Sequence, residues 1–251
     1  MEVLDLWKAF GSIAVLRGVS IQVRSGEVAV VIGRSGSGKS TLLRCINFLA
    51  PPDRGEVRIL GRPFGRRPDG RGRWVTQRSA EINQTRARMP MVFQRFNLFQ
   101  HRTALGNVME GQLRVLGRSK AQAEARAVEA LTKVGLSHKL RSYPMHLSGG
   151  EQQRVGIARA LAMDPDIILF DEPTSSLDPE MVGEVLEIIH QLASEKMTMI
   201  VVTHEMGFAR QTADRVYFLC EGVVGEEGTP QQIFEEPRND QLKSFIKAIL
   251  R

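Results

Sequence analysis

The chain has 251 residues, of which 42% are hydrophobic and 25% are charged, and these proportions exclude a largely disordered or fibrous protein. The formal net charge of +6 is concentrated between Arg54 and Arg88, where ten arginines face three acidic residues, while the remainder holds 24 basic and 25 acidic residues. Two distant cysteines, Cys45 and Cys220, exclude a disulfide framework and suit a reducing compartment. The N-terminus lacks the features of a signal peptide, and no apolar run approaches the ~20 residues that span a bilayer.

The first predicted elements are a strand, a glycine-rich loop and a helix. Residues 27–32 form an apolar run, residues 33–40 read GRSGSGKS, and residues 40–44 open a helix. The loop fits G-x-x-x-x-G-K-[ST] in the strand-to-helix context that this phosphate-binding motif requires. Its backbone N–H groups and the helix dipole favour bound phosphate, so the pattern predicts ATP binding. The predicted contacts are Gly33, Ser35, Gly36, Ser37, Gly38, Lys39, Ser40 and Thr41.

Within this loop, Lys39 is expected on the β- and γ-phosphates and the Ser40 hydroxyl on Mg²⁺. Farther along, Gln94 follows the short apolar run 91–93, where a polar strand end is unremarkable by itself. Residues 119–134 are alanine-rich and helical, with Ser119 and Gln122 in capping-box spacing and Gly135 as the stop. We therefore predict a helical subdomain at 95–157, inserted into an α/β core that comprises 1–94 and 158–251.

Two further apolar runs, 166–170 and 197–203, indicate buried parallel strands, and each ends in residues that can carry chemistry. Asp171 is suited to holding Mg²⁺ through water and Glu172 to polarising the attacking water, although acidic pairs after strands often only cap the next helix. His204 follows the next strand and is expected near the γ-phosphate, although a lone histidine is more often structural. Asp178 and Pro179 predict a helix start.

Residues 215–219 and 223–227 flank a Cys-Glu-Gly turn and predict an antiparallel hairpin at the sheet edge. The predicted fold is therefore α/β: a phosphate-loop ATPase core with a mostly parallel sheet, an antiparallel β edge and an inserted α-helical subdomain.

Residues 147–154 read LSGGEQQR and, with the phosphate loop, Gln94, Asp171-Glu172, residues 176–178 and His204 in order, resemble the ATP-binding-cassette (ABC) family over almost the entire chain. The resemblance implies a head-to-tail homodimer in which each ATP lies between the phosphate loop of one copy and the signature of the other. Signature contacts would come from Ser148, Gly149 and Gly150. Independently, Ser148 and Glu151 have capping-box spacing before a helix.

Other roles are carried over from the same resemblance. Phe10 would stack on adenine, with core packing as its alternative. Gln94 would act at the Mg²⁺ and link the site to a membrane partner, and Asp178 would link the two ATP sites. Glu151 stands where the family more often has glutamine, and this acid is expected to weaken ATP-driven dimerisation. Arg34, where proline is frequent, is expected in solvent.

Residues 92–99, 107–110 and 204–210 are similar to polar amino-acid importers, with histidine-type importers as the nearest likeness and opine and ectoine importers as relatives. That likeness implies two membrane permease subunits, a periplasmic solute-binding protein, and a peripheral ATPase at the cytoplasmic face of the inner membrane. Phe96, Leu98 and Phe99 either form a groove for a permease helix or pack within the helical subdomain.

Two other classes of function are weighed against the importer. The basic segment admits a DNA- or ribosome-associated ABC ATPase, but the long coiled coils or paired cassettes of such relatives are missing, so no nucleic-acid partner is expected. A solvated face or a contact with anionic lipid explains the arginines better. A nucleotide-gated module that does not hydrolyse ATP is disfavoured by Glu172 and His204.

Overall fold

The computed structural model describes residues 1–71 and 73–249, and it divides into two compact units. The first contains the described residues up to Arg86 and those from Lys196 onward, and the second is Ala87–Glu195. These divisions differ from the predicted limits of the helical subdomain, 95–157. The two units are defined by their compactness, whereas the prediction concerns the limits of an inserted segment. The limits 95–157 therefore stay a prediction.

The helices and strands of the described residues are as follows. The strands are β1 (Glu2–Phe10), β2 (Ile13–Gln22), β3 (Val28–Ile32), β4 (Arg54–Ile59), β5 (Arg62–Phe64), β6 (Arg66–Pro68), β7 (Trp74–Thr76), β8 (Met91–Val92), β9 (Ile168–Asp171), β10 (Met199–Val202), β11 (Arg215–Cys220) and β12 (Val223–Gly228). The α-helices are α1 (Lys39–Ile46), α2 (Ser79–Ala87), α3 (Ala104–Arg114), α4 (Lys120–Lys133), α5 (Gly149–Leu161), α6 (Pro179–Ser194), α7 (Met206–Thr212), α8 (Pro230–Phe234) and α9 (Asp240–Ile249).

The first unit is organised around β3, whose five residues are all buried. It pairs in parallel with β10 on one side and with β11 on the other, and Val31 lies opposite Val202 and Tyr217. A strand covered on both faces reads as a continuous apolar run rather than an alternating one, which is why residues 27–32 predict it. The predicted parallel strands are thus confirmed here.

The predicted edge hairpin is also present as β11 and β12. Its turn consists of Glu221 and Gly222, whose φ angles are 48° and 79°. Two consecutive residues with positive φ are typical of the type I′ turn, whose twist matches that of the flanking strands.

An antiparallel sheet of the first unit, in the order β2-β1-β4-β5, was not predicted as a sheet. Its strands β1 and β4 are tied together beyond the backbone ladder by Asp53, which lies just before β4. The Asp53 carboxylate accepts hydrogen bonds from the Ala9 N–H at 2.7 Å and from the Lys8 ammonium at 3.1 Å. This contact fixes the end of β1 that leads to Phe10.

The second unit contains the parallel pair β8–β9 and the helices α3 to α6. The capping box predicted at Ser119 and Gln122 is confirmed at the start of α4, and Gly135 follows the helix with a φ of +73°. Gln112 is completely buried and donates to the Val108 and Ala123 carbonyls, which joins α3 to α4.

Among the residues that the structure describes, no helix is both long enough and apolar enough to cross a bilayer.

Candidate functional site

The phosphate loop lies between β3 and α1, as predicted, and two of its glycines are required by close neighbours. Gly33 has a φ of +150°, and a Cβ there would lie 2.1 Å from the Leu219 carbonyl oxygen of the adjacent strand β11. At Gly38, a Cβ would lie 2.9 Å from the Leu16 side chain and 3.0 Å from the Val15 carbonyl. Side chains at these positions are therefore incompatible with the observed loop.

Lys39 begins α1 and is only 4% exposed. Its ammonium donates hydrogen bonds to the carbonyl oxygens of Gly33 at 2.9 Å and Arg34 at 3.2 Å. These carbonyls hold the lysine inside the curve of the loop, while Arg34, Ser35 and Gly36 at its crest are exposed. The ammonium therefore lies among oxygen acceptors at the centre of the loop, where the oxygens of a bound phosphate group could also accept its hydrogen bonds.

Two features of the loop, other than its sequence motif, also suit the binding of a phosphate group. The Ser37 hydroxyl is buried and has no hydrogen-bond partner. The N-terminus of α1 at Gly38 has no side-chain cap. An orphan hydroxyl and uncapped helix N–H groups are the donors that phosphate oxygens satisfy. Ser40 and Thr41 follow in the first turn of α1 and are partly exposed.

His204 and Phe10 belong to the same unit as the phosphate loop. His204 is exposed and lies two residues after β10, whose Val202 is opposite Val31 of β3. Because β10 and β3 are parallel, His204 and Gly33 both follow the carboxyl ends of neighbouring strands. Phe10 is 53% exposed, with the Lys8 ammonium 5.3 Å from its ring centroid. The ring is not packed in the core, so an exposed face is present for stacking.

In the second unit, Asp171 is buried at the end of β9 and Glu172 follows it, half-buried. Glu172 has a φ of +48°, in the left-handed region that non-glycine residues seldom adopt. Its carbonyl accepts hydrogen bonds from the N–H of Ser175 at 3.3 Å and from its hydroxyl at 3.1 Å. Glu172 therefore belongs to a defined turn and does not cap a helix. Asp178 occupies the N-cap position of α6, as predicted, but its exposed side chain accepts no capping hydrogen bond.

The signature segment forms the N-terminus of α5 with the predicted capping box. The Ser148 hydroxyl accepts a hydrogen bond from the Glu151 N–H at 3.2 Å, and the Glu151 carboxylate accepts one from the Ser148 N–H at 2.8 Å. Gly149 and Gly150 lie in the first turn, where a Cβ on Gly150 would be 3.1 Å from the Met181 side chain. The signature is thus a rigid helix start that packs closely against α6.

Glu151 also forms an ion pair with Lys139, with 3.1 Å between carboxylate and ammonium. Burial raises the pKa of the Glu151 carboxyl, but the Ser148 N–H and the Lys139 ammonium outweigh it and hold the pKa below its ordinary value. The carboxylate is therefore charged at neutral pH.

Gln94 is exposed and follows β8 in a segment that α5 holds in place. Arg159 of α5 donates to the Asn97 carbonyl at 2.8 Å and the Phe96 carbonyl at 3.3 Å, and burial lowers the pKa of its guanidinium. Gln153, fully buried, donates to the Phe93 carbonyl at 3.4 Å. The signature helix and the segment that carries Gln94 are therefore directly connected.

Phe96, Leu98 and Phe99 form the apolar cluster after Gln94. Of its two interpretations, internal packing applies to Leu98, and an exposed contact surface applies to Phe99. Leu98 is 7% exposed and packs inside the second unit, whereas Phe99 is 43% exposed. Phe96 is half-buried, and its ring would be 3.5 Å from a Cβ on Gly149. Phe99 is consequently the most exposed member of this cluster.

Several arginines of the basic segment are neutralised within the described residues. Ion pairs join Arg58 to Glu56 at 2.8 Å and Arg78 to Glu81 at 2.9 Å. Arg86 donates instead to the carbonyls of Asn47 and Phe48. Part of the positive charge of this segment is therefore used in contacts within the segment and with the residues just before it.

Sequence reasoning missed Lys139, Gln153 and Arg159. Each acts on a partner at least a dozen residues away, and no local spacing connects Lys139 with Glu151 or Arg159 with Asn97. For Gln153 alone the sequence carries a signal: it lies on the apolar face of α5, and a buried glutamine needs a polar partner.

Comparison with known proteins agrees with this combination of fold and motifs. Residues 16–175 match the family described as ABC transporter. The histidine/lysine/arginine/ornithine transport ATP-binding protein HisP of Salmonella typhimurium is 52% identical, over 100% of this chain and 98% of its own. The arginine/ornithine transport ATP-binding protein AotP of Pseudomonas aeruginosa is 49% identical over 100% and 99%, and the nopaline permease ATP-binding protein P of Agrobacterium fabrum is 49% identical over 98% and 96%.

Among solved structures, the chain resembles an ATP-binding cassette captured as a dimer in a post-hydrolysis state with ADP and Pi. The TM-score is 0.78 at 33% identity, over 91% of this chain and 98% of that one. A strand-to-helix phosphate loop in the same chain as a signature helix defines an ATPase of the cassette type. The chain belongs to the ABC transporter family.

Proposed function

We propose that this chain is the ATP-hydrolysing subunit of a bacterial ABC importer for polar amino acids or related solutes. The observation that carries the catalytic part is the phosphate loop, where the Lys39 ammonium is buried inside the loop and the buried Ser37 hydroxyl has no hydrogen-bond partner. Full-length identity of about half to HisP and AotP supports the transport part.

Binding of ATP follows from the first unit. Lys39 exchanges its loop carbonyls for β- and γ-phosphate oxygens, and the Ser37 hydroxyl and α1 N–H groups donate to the same anion. Gly33, Ser35, Gly36 and Gly38 shape this cradle, and Phe10 offers its exposed ring to adenine.

Mg²⁺ is a further part of the proposal. The described residues contain no cluster of three or more His, Cys, Asp or Glu side chains that could hold a metal ion alone. This fits Mg²⁺, which is usually held by one or two protein groups together with substrate phosphates and water. Ser40, Gln94 and Asp171 are the proposed protein ligands, directly or through water, and the ion would neutralise charge on the phosphates.

For hydrolysis, Glu172 accepts a proton from the attacking water and His204 stabilises the γ-phosphate. The turn in which Ser175 binds the Glu172 carbonyl holds the base in one backbone conformation. Ser148, Gly149 and Gly150 of a second copy complete each site, and Asp178 links the two sites. The helix dipole and free N–H groups at the start of α5 suit a phosphate presented by another subunit.

Coupling to transport is proposed to pass through Gln94, with two membrane permease subunits and, through them, a periplasmic solute-binding protein as partners. Phe99 is the exposed apolar side chain beside this segment and is the proposed permease contact. The chain would then work as a peripheral subunit on the cytoplasmic face of the inner membrane.

The catalytic proposal is tested with Glu172→Gln. We expect ATP turnover to fall by about 100-fold or more, because general-base catalysis contributes about 10²- to 10⁴-fold. ATP, but not ADP, should shift the variant from monomer to dimer on gel filtration. The matched control is Glu187→Gln, the same chemical change on the exposed face of α6. An ATP-independent elution volume would contradict the composite site.

The importer proposal needs a separate readout. Purified chain is reconstituted with candidate permeases in liposomes, and ATP turnover is measured with solute-binding protein and a panel of amino acids and opines. Stimulation by polar amino acids is expected. Full turnover with no response to any solute or permease would contradict the transport part while leaving the ATPase intact.

A further inference from the structure

The acidic residue of the signature, Glu151, uses its carboxylate oxygens for two different contacts. One oxygen accepts the Ser148 N–H at 2.8 Å and so belongs to the capping box. The other lies 3.1 Å from the Lys139 ammonium. The negative charge that the sequence places at the start of α5 is therefore paired with a positive charge.

Backbone hydrogen bonds fix the position of Lys139 beside Glu151. It ends a short 3₁₀ helix, Ser137–Lys139, in which its N–H donates to the Leu136 carbonyl at 3.0 Å. Its own carbonyl accepts the Ser142 N–H at 2.9 Å. The side chains of Lys139 and Glu151 are 30% and 15% exposed, so solvent screens this pair less than it screens a fully exposed one.

Another cation near Glu151 has its own partners. Arg154, one turn along α5, lies 3.3 Å from the Glu184 carboxylate and donates to the Val134 carbonyl at 3.4 Å. Its positive charge also favours the Glu151 carboxylate through space, but its direct ion pair is with Glu184. Lys139 is the cation in direct contact with Glu151.

We propose that Lys139 is a positioning residue that offsets the charge of Glu151, so that an acidic signature can receive the γ-phosphate of ATP from a second copy. This inference rests on the proposed function. Without Lys139, the unpaired carboxylate would cancel part of the positive potential at the start of α5 and would repel the incoming phosphate. The ion pair would let this chain carry glutamate at the signature without losing the positive end of α5.

The test compares four proteins in the Glu172→Gln background: the reference, Lys139→Met, Glu151→Gln and the double variant. The measured quantity is the ATP concentration that gives half-maximal dimer, from sedimentation velocity. We expect Lys139→Met to raise it about fivefold and Glu151→Gln to lower it about two- to fivefold. Since the double variant removes both charges, it should return to within about twofold of the reference. These shifts should shrink in high salt.

Lys139→Arg is the conservative control and should retain the reference value. A double variant as weak as Lys139→Met would overturn the inference, because the loss would then not depend on the Glu151 charge. Unchanged dimerisation in Glu151→Gln would also overturn it, and this result does not require Lys139→Met to fold. ATP binding to the monomer is measured as well, to distinguish failure of the composite site from failure of the Lys139 inference alone. If the reference binds ATP but never dimerises, the composite site and this inference both fail.

Discussion

Replacement of Gly33 by alanine tests whether the phosphate loop is fixed by its neighbours in the sheet. The added Cβ would lie 2.1 Å from the Leu219 carbonyl oxygen, and the backbone has a φ of +150°. Strained backbone of this kind costs about 1–3 kcal/mol, and overpacking in a close-packed interior costs about another 1–3 kcal/mol. We therefore expect Gly33→Ala to lower the free energy of unfolding by roughly 2–6 kcal/mol.

Gly36→Ala is the matched control in the same loop. Its φ is +80°, but a Cβ there meets nothing within 4 Å. Only the backbone term of about 1–2 kcal/mol remains. Urea titrations followed by circular dichroism give the unfolding free energy of each variant. Equal losses at Gly33 and Gly36 would refute the reasoning, because the contact with β11 would then contribute nothing.

Two further predictions concern side chains that the structure places in contrasting surroundings. The Ala9 N–H above all, and also the Lys8 ammonium, hold the pKa of Asp53 below its ordinary value. The stabilisation is thus present above the unfolded-state pKa of about 3.9 and is lost as pH falls through the lower folded-state pKa. Because the carboxylate is half exposed, Asp53→Asn should cost under about 1 kcal/mol at pH 7 and less at about pH 3, as measured by urea titration; equal losses at the two pH values would contradict this. Leu98→Ser should cost about 2–4 kcal/mol in thermal unfolding and Phe99→Ser under about 1 kcal/mol, since only Leu98 is buried; similar costs would remove the distinction between packing and surface.

The parts of the fold that the sequence predicts are those governed by local rules. Continuous apolar runs identify β3 and β10 because strands buried on both faces need no polar alternation. Capping boxes mark the starts of α4 and α5 because their two hydrogen bonds join residues three positions apart. The phosphate loop combines a fixed spacing with a strand before it and a helix after it.

Local sequence rules do not predict strand pairings or side-chain contacts between residues that are distant in the sequence. The sheet β2-β1-β4-β5 alternates only weakly in burial, and its pairing of Val3 with Val57 joins segments more than fifty residues apart. The sequence suggests that Arg159 is one more exposed arginine of an amphipathic helix, yet the residue is half-buried and its guanidinium donates to the Asn97 carbonyl. The departure of Glu151 from the family pattern was visible, but its partner Lys139 was not.

Glu172 illustrates why a site residue can be predicted while its conformation cannot. The strand that precedes it identifies the position, because the carboxyl ends of parallel strands are where polar groups gather. Its φ of +48° costs about 1–2 kcal/mol for a residue with a Cβ, and glycine or asparagine would relieve that cost. A residue chosen for the turn alone would not be glutamate. The carboxylate at a strained position, with the Glu172 carbonyl held by Ser175, therefore supports the proposed role of this side chain in hydrolysis, which Glu172→Gln tests.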